Sequence, residues 1–356
     1  MKKELLRHIS LLFFLLFVAR SYCQTNTYYN VRTVAFYNVE NLFDTINDPN
    51  TYDDDRTPTG KDHWNGERYR LKIEHISKVL STIGVGVKGT PPDIIGLCEV
   101  ENKQVVEDLI HHPNLISVPY EIIHFDSPDE RGIDVALVYN TAAFIPTSFQ
   151  SRRLLLENEE GERDYTRDQL VVGGELDQES FYFIVNHWPS RSGGEKRSEP
   201  RRLAAAKLTR TIIDSILKYD PTGKIIGMGD LNDDPIDKSL KKALKTTKKM
   251  KGFVDKELHN PMEIFYKKGF GTLAYRDEWN LFDQFFITPS LIDTTNIKGY
   301  RFWKSGIFDA DYLKNISGSY KGYPFRTYSA GNYTGGYSDH FPVYLFLIKP
   351  TEKKTE

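Results

Sequence analysis

Six segments of this 356-residue chain place oxygen and imidazole side chains at the edges of short apolar runs. "AFYNVENLFD" carries Asn38, Glu40 and Asn41, "DIIGLCEVEN" carries Glu99, and "YFIVNHWPSR" carries Asn186 and His187. "IIGMGDLNDDP" carries Asp230 and Asn232, "WNLFDQFFIT" carries Asp283, and "GGYSDHFPV" carries Asp339 and His340. Each segment alone has a local explanation, because Asx side chains make turns and carboxylates cap helices. Six such segments in one chain instead describe a site assembled from distant strand ends. Its donors are carboxylates and amide oxygens, hard ligands suited to Mg²⁺ or Mn²⁺, whereas a zinc site would recruit Cys and several His.

The ordered set Asn38, Glu99, His187, Asp230-x-Asn232, Asp283 and Asp339-His340 resembles the endonuclease/exonuclease/phosphatase superfamily, which includes DNases, apurinic endonucleases, sphingomyelinases and inositol polyphosphate 5-phosphatases. The resemblance runs from Asn38 to His340, and "GDLN" and "SDH" together, in this order, are what make it specific. It implies hydrolysis of a phosphoester, which needs an activated water, an electrophile for charge growing on the phosphoryl oxygens, and help for the leaving oxygen. It also implies roles. Glu99 is the principal metal ligand, with Asn38, Asp339 and Glu40 completing the shell directly or through water. His340 is the acid/base, oriented by Asp283; Asp230 positions or activates the water, Asn232 bonds the scissile phosphate, and His187 donates to a non-bridging oxygen. Asp233 and Asp234 are left out of the site, as first-turn residues favoured by a following helix.

Two basic features bear on the substrate. "NHWPSRSGGEKRSEPRR" sets Arg191 and further arginines beside His187, and Arg131 precedes an apolar run; both are expected to bind phosphate, since guanidinium forks pair with its oxygens. The lysines of "IDKSLKKALKTTKKMK" read as a solvated face. The acidic stretch around Asp53, Asp54 and Asp55 lacks the regular ligand spacing of a calcium loop, so a structural Ca²⁺ stays open and a solvated loop is expected. The aromatic, Gly-rich segment 305–337 is either a groove wall or a long surface loop.

The elements that must position these residues alternate short strands with a few helices. Strands are expected over Val31–Tyr37, Asp93–Cys98, Asp134–Tyr139, Gln169–Val172, Phe181–Asn186, Lys224–Met228, Leu281–Ile287 and Val343–Ile348. Helices fit Glu67–Thr82, Lys103–Ile110, Ser198–Lys218 with Ser198 as N-cap, and Ile236–Lys245. Two sheets covered by helices follow. The resemblance sharpens this to a DNase-like four-layer α/β sandwich with mostly antiparallel sheets.

A basic start, an apolar run over Ile9–Ala19 and the small residues Ser21 and Cys23 make residues 1–23 an export signal, too short for a membrane span. Tyr22 before Cys23 argues against lipid anchoring. The formal net charge is −2. The leader holds Lys2, Lys3, Arg7 and Arg20 against Glu4, so its loss leaves the mature chain three charges more negative, at −5. Only Cys98 then remains, so no internal disulfide forms. One domain, residues 24–349, and a polar tail, 350–356, are expected, as a monomer without membrane insertion. The reading is an exported metal-dependent phosphodiesterase, first of all a nuclease with DNA or RNA as partner. Alternatives are a phosphomonoesterase or phospholipid phosphodiesterase using the same site, and a non-catalytic binding protein on the same fold.

Overall fold

The structure is a computed structural model that describes residue 4 and residues 28–351, apart from 255, 294, 296 and 297. The expected export signal falls outside these residues but for residue 4, as do residues 352–356 of the tail. The principal strands of the first half are β1 (Tyr28–Leu42), β2 (Ile94–Val100), β3 (Tyr120–His124), β4 (Asp134–Asn140), β5 (Phe144–Arg152), β6 (Gln169–Leu176) and β7 (Glu179–His187). Those of the second half are β8 (Lys224–Asp230), β9 (Thr246–Thr247), β10 (Leu258–His259), β11 (Asp283–Ile287), β12 (Arg301–Ile307) and β13 (Val343–Thr351). The longer helices are α1 (Gly66–Thr82), α2 (Lys103–Ile110) and α3 (Glu195–Tyr219).

The strands form a six-stranded sheet, β12-β13-β1-β2-β4-β3, and a seven-stranded one, β9-β10-β11-β8-β7-β6-β5. Both are mostly antiparallel, but each has a parallel pair at its centre, β1 with β2 and β8 with β7. The sheets pack face to face through Val34, Phe36, Ile94, Phe183, Met228 and Phe285, all fully buried. The approach is closest at Gly96, where a Cβ would lie 2.6 Å from Met228 Sδ. α1 and α2 cover the outer face of the first sheet with Ile76, Val79, Val105 and Leu109, and α3 covers the second with Ala205, Ile212 and Ile213. The result is the four-layer α/β sandwich expected from the sequence.

All eight expected strands form, most of them extended at one end or both because residues flanking the run also pair in the ladder, while the strand expected from Leu281 starts at Asp283. Five strands had no clear signal: β3, β5 and β12 are edge strands, whose exposed faces dilute the apolar pattern, and β9 and β10 hold only two residues each. Asn65 and Asn102 cap α1 and α2 by accepting from backbone N–H groups. Ser198 is not the cap of α3. That helix starts at Glu195 after Gly194, and the Ser198 hydroxyl donates back to the Gly194 carbonyl from within the first turns. The helix expected over Ile236–Lys245 is a π-helical turn, Ser239–Leu244. The stretch around Asp53 is largely solvent-exposed, as expected, with Asp54 and Asp55 at the surface, but it is pinned at two points: Asp53 is buried and accepts from Asp48 N, and Trp64 is buried with its indole N–H on the Phe43 carbonyl.

Candidate active site

The two central parallel strand pairs end on the same edge of the sandwich, and the site lies there. In the second sheet the ladder itself builds a row: Asp230 pairs with His187 on one side and with Asp283 on the other. In the first sheet the register slips between Asn38 and Leu42 on β1 and between Cys98 and Val100 on β2. Glu40 (φ 50°), Asn41 (φ 52°) and Glu99 (φ 61°) there adopt the left-handed conformation, as does Asn232 (φ 50°) just past β8. Non-glycine residues pay for that backbone, and such strain persists where the surroundings over-determine it.

The focal atom is Asp230 Oδ2. Asn38 Nδ2 donates to it at 3.0 Å, while His187 Nε2 lies 3.7 Å and His340 Nε2 3.8 Å away. These two imidazole distances exceed a hydrogen bond and leave the tips pointing at a shared space. Asp230 Oδ1 accepts from Asn232 N at 3.0 Å. His340 Nδ1 bonds Asp283 Oδ2 at 2.6 Å, and its backbone N–H reaches the Ser338 hydroxyl, which donates to the Asn38 carbonyl. Glu99 presents Oε1 3.9 Å from His187 Nε2, while its Oε2 accepts from Asn41 N at 3.0 Å.

Charge is distributed unevenly across this group. Burial pushes the Asp230 carboxyl up to about 6, helped by Asp283 and opposed by His340 and by the bonds from Asn232 and Asn38. Burial also disfavours a charged His340, but Asp283 and Asp230 outweigh it and hold the imidazole well above its ordinary value. His187 goes the other way: burial, then Arg167, Arg131 and His340, drive it well below. Loss of water favours a neutral Glu99, yet Arg131, His340, Arg167 and the Asn41 N–H together hold it below the ordinary carboxylate range. The site thus carries an ionised Glu99, a cationic His340 and a neutral His187.

Asn38, Glu99, His187, Asp230, Asn232, Asp283 and His340 therefore come together as the sequence suggested. The remaining candidates are placed with other partners. Glu40 accepts from Thr327 N at 2.6 Å and stands 3.5 Å from Arg326 Nε, and Asp339 accepts from Arg326 Nη2 at 2.8 Å. Arg131 is exposed, loosely held 3.8 Å from Asp129, and lines a cavity of about 460 Å³ with Asn41, Arg56, Lys61 and Arg326. Arg191 is committed inward: its Nε donates to the Asn232 carbonyl at 3.0 Å, and its Nη2 stands 2.9 Å from Asp237 and 3.4 Å from Asp234. Asp233 and Asp234 prove to be scaffolding for the Asp230 loop, where first-turn helix residues had been expected. Asp233 holds the fully buried Arg202 and the Ser239 hydroxyl, and Asp234 accepts from Leu281 N.

Three charged residues had escaped notice. Buried Arg167 donates to Asp129 and to the Trp188 carbonyl and biases both His187 and Glu99. Buried Lys72 donates to Thr327 Oγ1 and the Tyr337 carbonyl, fastening segment 326–337; burial brings its pKa down to about 8 against the pull of Glu40, Asp339 and Glu99. Arg326 lies in the segment the sequence left undecided. Lys72 alone had a usable signal, since it stands four residues before Ile76 and seven before Val79, on the apolar stripe of α1.

A divalent cation fits this donor set. Glu99 supplies an ionised carboxylate with Oε1 facing the shared space, and the amide of Asn38 lies beside it on the paired strand. One carboxylate with few further protein oxygens suits Mg²⁺, which keeps several of its waters. Among the described residues, His124, Asp126 and Asp134 also bring ligand atoms within 4.8 Å of one another, but Asp134 there already accepts from His124 and from Ser127 N.

Comparison with known proteins agrees with this geometry. Residues 33–349 match the model of the endonuclease/exonuclease/phosphatase family. No curated protein matches the sequence. Among solved structures, an endonuclease/exonuclease/phosphatase family protein from Bacteroides thetaiotaomicron superposes with a TM-score of 0.53 at 17% identity, covering 91% of this chain and 97% of that one. D. rerio TDP2 complexed with single strand DNA product gives 0.51 at 13% identity, covering 89% and 99%. The mannosyl-6-phosphatase of Bacteroides thetaiotaomicron gives 0.50 at 18%, also covering 89% and 99%. With two sheets ending on one Asp–His–Asn constellation and a family match across nearly all of both, this chain belongs to the endonuclease/exonuclease/phosphatase family.

Proposed function

We propose that the protein hydrolyses a phosphoester by attack of water on phosphorus, dependent on a divalent cation held by Glu99 and Asn38, with Asp339 and Glu40 contributing at the rim. The observation that carries this reading is the shared space around Asp230 Oδ2, with His187 and His340 Nε2 atoms 3.7 and 3.8 Å away. A water there accepts a hydrogen bond from an imidazole and donates to Asp230, whose proton affinity near neutrality suits a base. The cation, when bound, neutralises charge developing on the phosphoryl oxygens. His340, cationic and fixed by Asp283, stabilises that charge or gives up a proton from Nε2. Neutral His187 donates to a non-bridging oxygen, and Asn232, pinned through Asp230, Trp188 and Arg191, orients the phosphate.

The substrate is better read as a small phosphoester than as a long nucleic acid. Arg191 and Arg202, two of the arginines in the segment expected to bind phosphate, are spent on Asp233, Asp234 and Asp237, and Arg197 and Arg201 pair with Glu159 and Asp164. Beyond Asp129, a second cavity of about 700 Å³ is lined by Asp44, Asp48, Glu101, Asp126 and Glu130, a flank that repels a polyanion. The nuclease reading keeps one support, the DNA product seen on the similarly folded D. rerio protein. A panel of nucleotides, sugar phosphates, phospholipids, DNA and RNA, assayed after EDTA dialysis and again with Mg²⁺ or Mn²⁺, tests both. Turnover that survives dialysis ends the metal reading. Rapid cleavage of DNA or RNA alone ends the small-substrate one.

Export belongs to the same proposal. Residues 1–23 act as a cleaved leader and the mature chain starts at Gln24. An intact Met1 on cell-associated protein, or a lipid on Cys23, found by mass spectrometry would overturn it.

A further inference from the structure

A cavity of about 320 Å³ opens beside Asp339 and Arg326 and is walled by Tyr275, Tyr320 and Tyr323. Its volume lies in the range of small-ligand sites. Tyr275 rides on a tight hairpin, Leu273–Tyr275 with Glu278–Asn280, whose turn residues Arg276 (φ 51°) and Asp277 (φ 65°) are both left-handed. Such a turn suits two-residue hairpins but normally asks for Asn or Gly. Here it is held from outside, because the Tyr323 hydroxyl donates to Asp277 Oδ1 at 2.5 Å. The opposite wall is a second hairpin, Tyr328–Ser329 with Asn332–Tyr333, tied down by Arg56 over the Tyr328 ring and Arg68 over the Tyr333 ring.

Within these fixed walls two tyrosines are left uncovered. Tyr275 is 62% and Tyr320 55% exposed. Isolated exposed aromatics need no explanation, but here two share one cavity whose other end is a site residue. The rings also connect to the chemistry: Tyr320 packs on Tyr323, Tyr323 on Trp279, and Trp279 stacks on Phe341, the neighbour of His340.

We infer that this cavity is the subsite for the group esterified to the phosphate, and that it takes a ring, stacked on Tyr275 and Tyr320. A phosphate between His340 and Arg326 directs its alcohol past Asp339 and into the tyrosine walls. A nucleobase and a sugar ring both offer a face to an aromatic platform, so the shared chemistry is a ring-bearing phosphoester. The inference rests on the phosphoesterase reading and adds the substrate class to it.

The test compares a nucleoside 5′-phosphate, a hexose 6-phosphate and ringless glycerol phosphate, each as monoester and methyl diester, with Mg²⁺. The measured quantity is the ring preference, the ratio of kcat/KM for a ring ester to that for glycerol phosphate. Wild-type protein should prefer one ring series. Tyr275→Ala and Tyr320→Ala should each cut that preference about tenfold, and Tyr275→Phe and Tyr320→Phe should keep it. Which series responds identifies the ring as base or sugar. A wild type with no ring preference, or alanine variants that keep it, overturns the subsite while leaving the phosphoesterase reading intact. Failure to hydrolyse any ester overturns both.

Discussion

Glu99 and Asp230 end strands on facing sheets, and the imidazole of His187 stands within 4 Å of both, 3.9 Å from one and 3.7 Å from the other. Their charge states nevertheless diverge. Glu99 looks toward Arg131, His340 and Arg167 and is held below the ordinary carboxylate range; Asp230, also fully buried but with Asp283 nearby, is pushed up to about 6. Neighbouring cations rather than burial alone separate the two. The first sheet thereby keeps a fixed negative charge suited to a metal, and the second keeps a group that exchanges protons near neutral pH. The backbone differs in parallel: the first sheet needs slipped registers and left-handed residues to present its ligands, whereas the second presents His187, Asp230 and Asp283 in regular register.

The largest effect is expected where the fixed charge is removed. Glu99→Gln keeps an oxygen for the Asn41 N–H and so keeps the fold, but it should lower turnover at saturating substrate by about 10³-fold and raise the Mg²⁺ concentration needed. Circular dichroism and Mg²⁺ titration of the rate check both halves. Near-normal rates at limiting Mg²⁺ would show that the metal side of the contrast lies elsewhere.

The proton side is probed by a double-mutant cycle. Asp283→Asn removes the charge that holds His340 cationic at 2.6 Å. It should cost about 10²-fold, as should His340→Ala, and the double variant should be scarcely worse than either. Additive losses would mean that the two side chains act separately and that the second sheet's row is not one unit.

The sequence revealed one sheet's contribution more fully than the other's. His187 and Asp230 could be found because they close regular apolar strands, and Asp283 because it opens one; strand ends survive small errors of boundary. Asn38 and Glu99 were found through their motif, while the slipped register that turns them inward has no signature in residue type. Arg191 behaves differently from the expectation for a physical reason: "SRSGGEKRSEPRR" shows its positive charge but not the three aspartates that surround it some 40 residues later. Lys72 pairs across more than 250 residues of chain, and Arg326 joins nearby Asp339 to Glu40 at the far end of the sequence, links that residue type does not show.

The contrast between Arg131 and Arg191 allows a sharper, smaller test. Arg131 biases Glu99 from the cavity mouth and has no close partner of its own, so Arg131→Ala should raise KM about tenfold and leave the melting temperature nearly unchanged. Arg191→Ala should instead lower the melting temperature, because Asp234 and Asp237 lose the cation between them. Thermal melts and steady-state kinetics on the pair separate a substrate contact from a clamp; reversed outcomes would exchange their roles.

The smallest effect concerns Asp234, which extends the Asp230 pattern into the scaffold. Burial pushes its carboxyl up from 3.8 to about 6, against the Leu281 N–H and Arg191. A folded-state value above the unfolded one means that protonation favours the fold. Its contribution is therefore fully present below about 3.8 and is lost as pH rises through about 6. Asp234→Asn is neutral throughout and keeps an oxygen for Leu281 N, so it escapes this loss. The melting temperature of the variant relative to wild type should be highest near pH 7.5 and fall by a few degrees toward pH 5, for a difference on the order of 1–2 kcal/mol. An offset that stays constant from pH 5 to 8 would show that Asp234 is ionised throughout. The rise in proton affinity would then be confined to Asp230 and belong to the site rather than to the whole end of the second sheet.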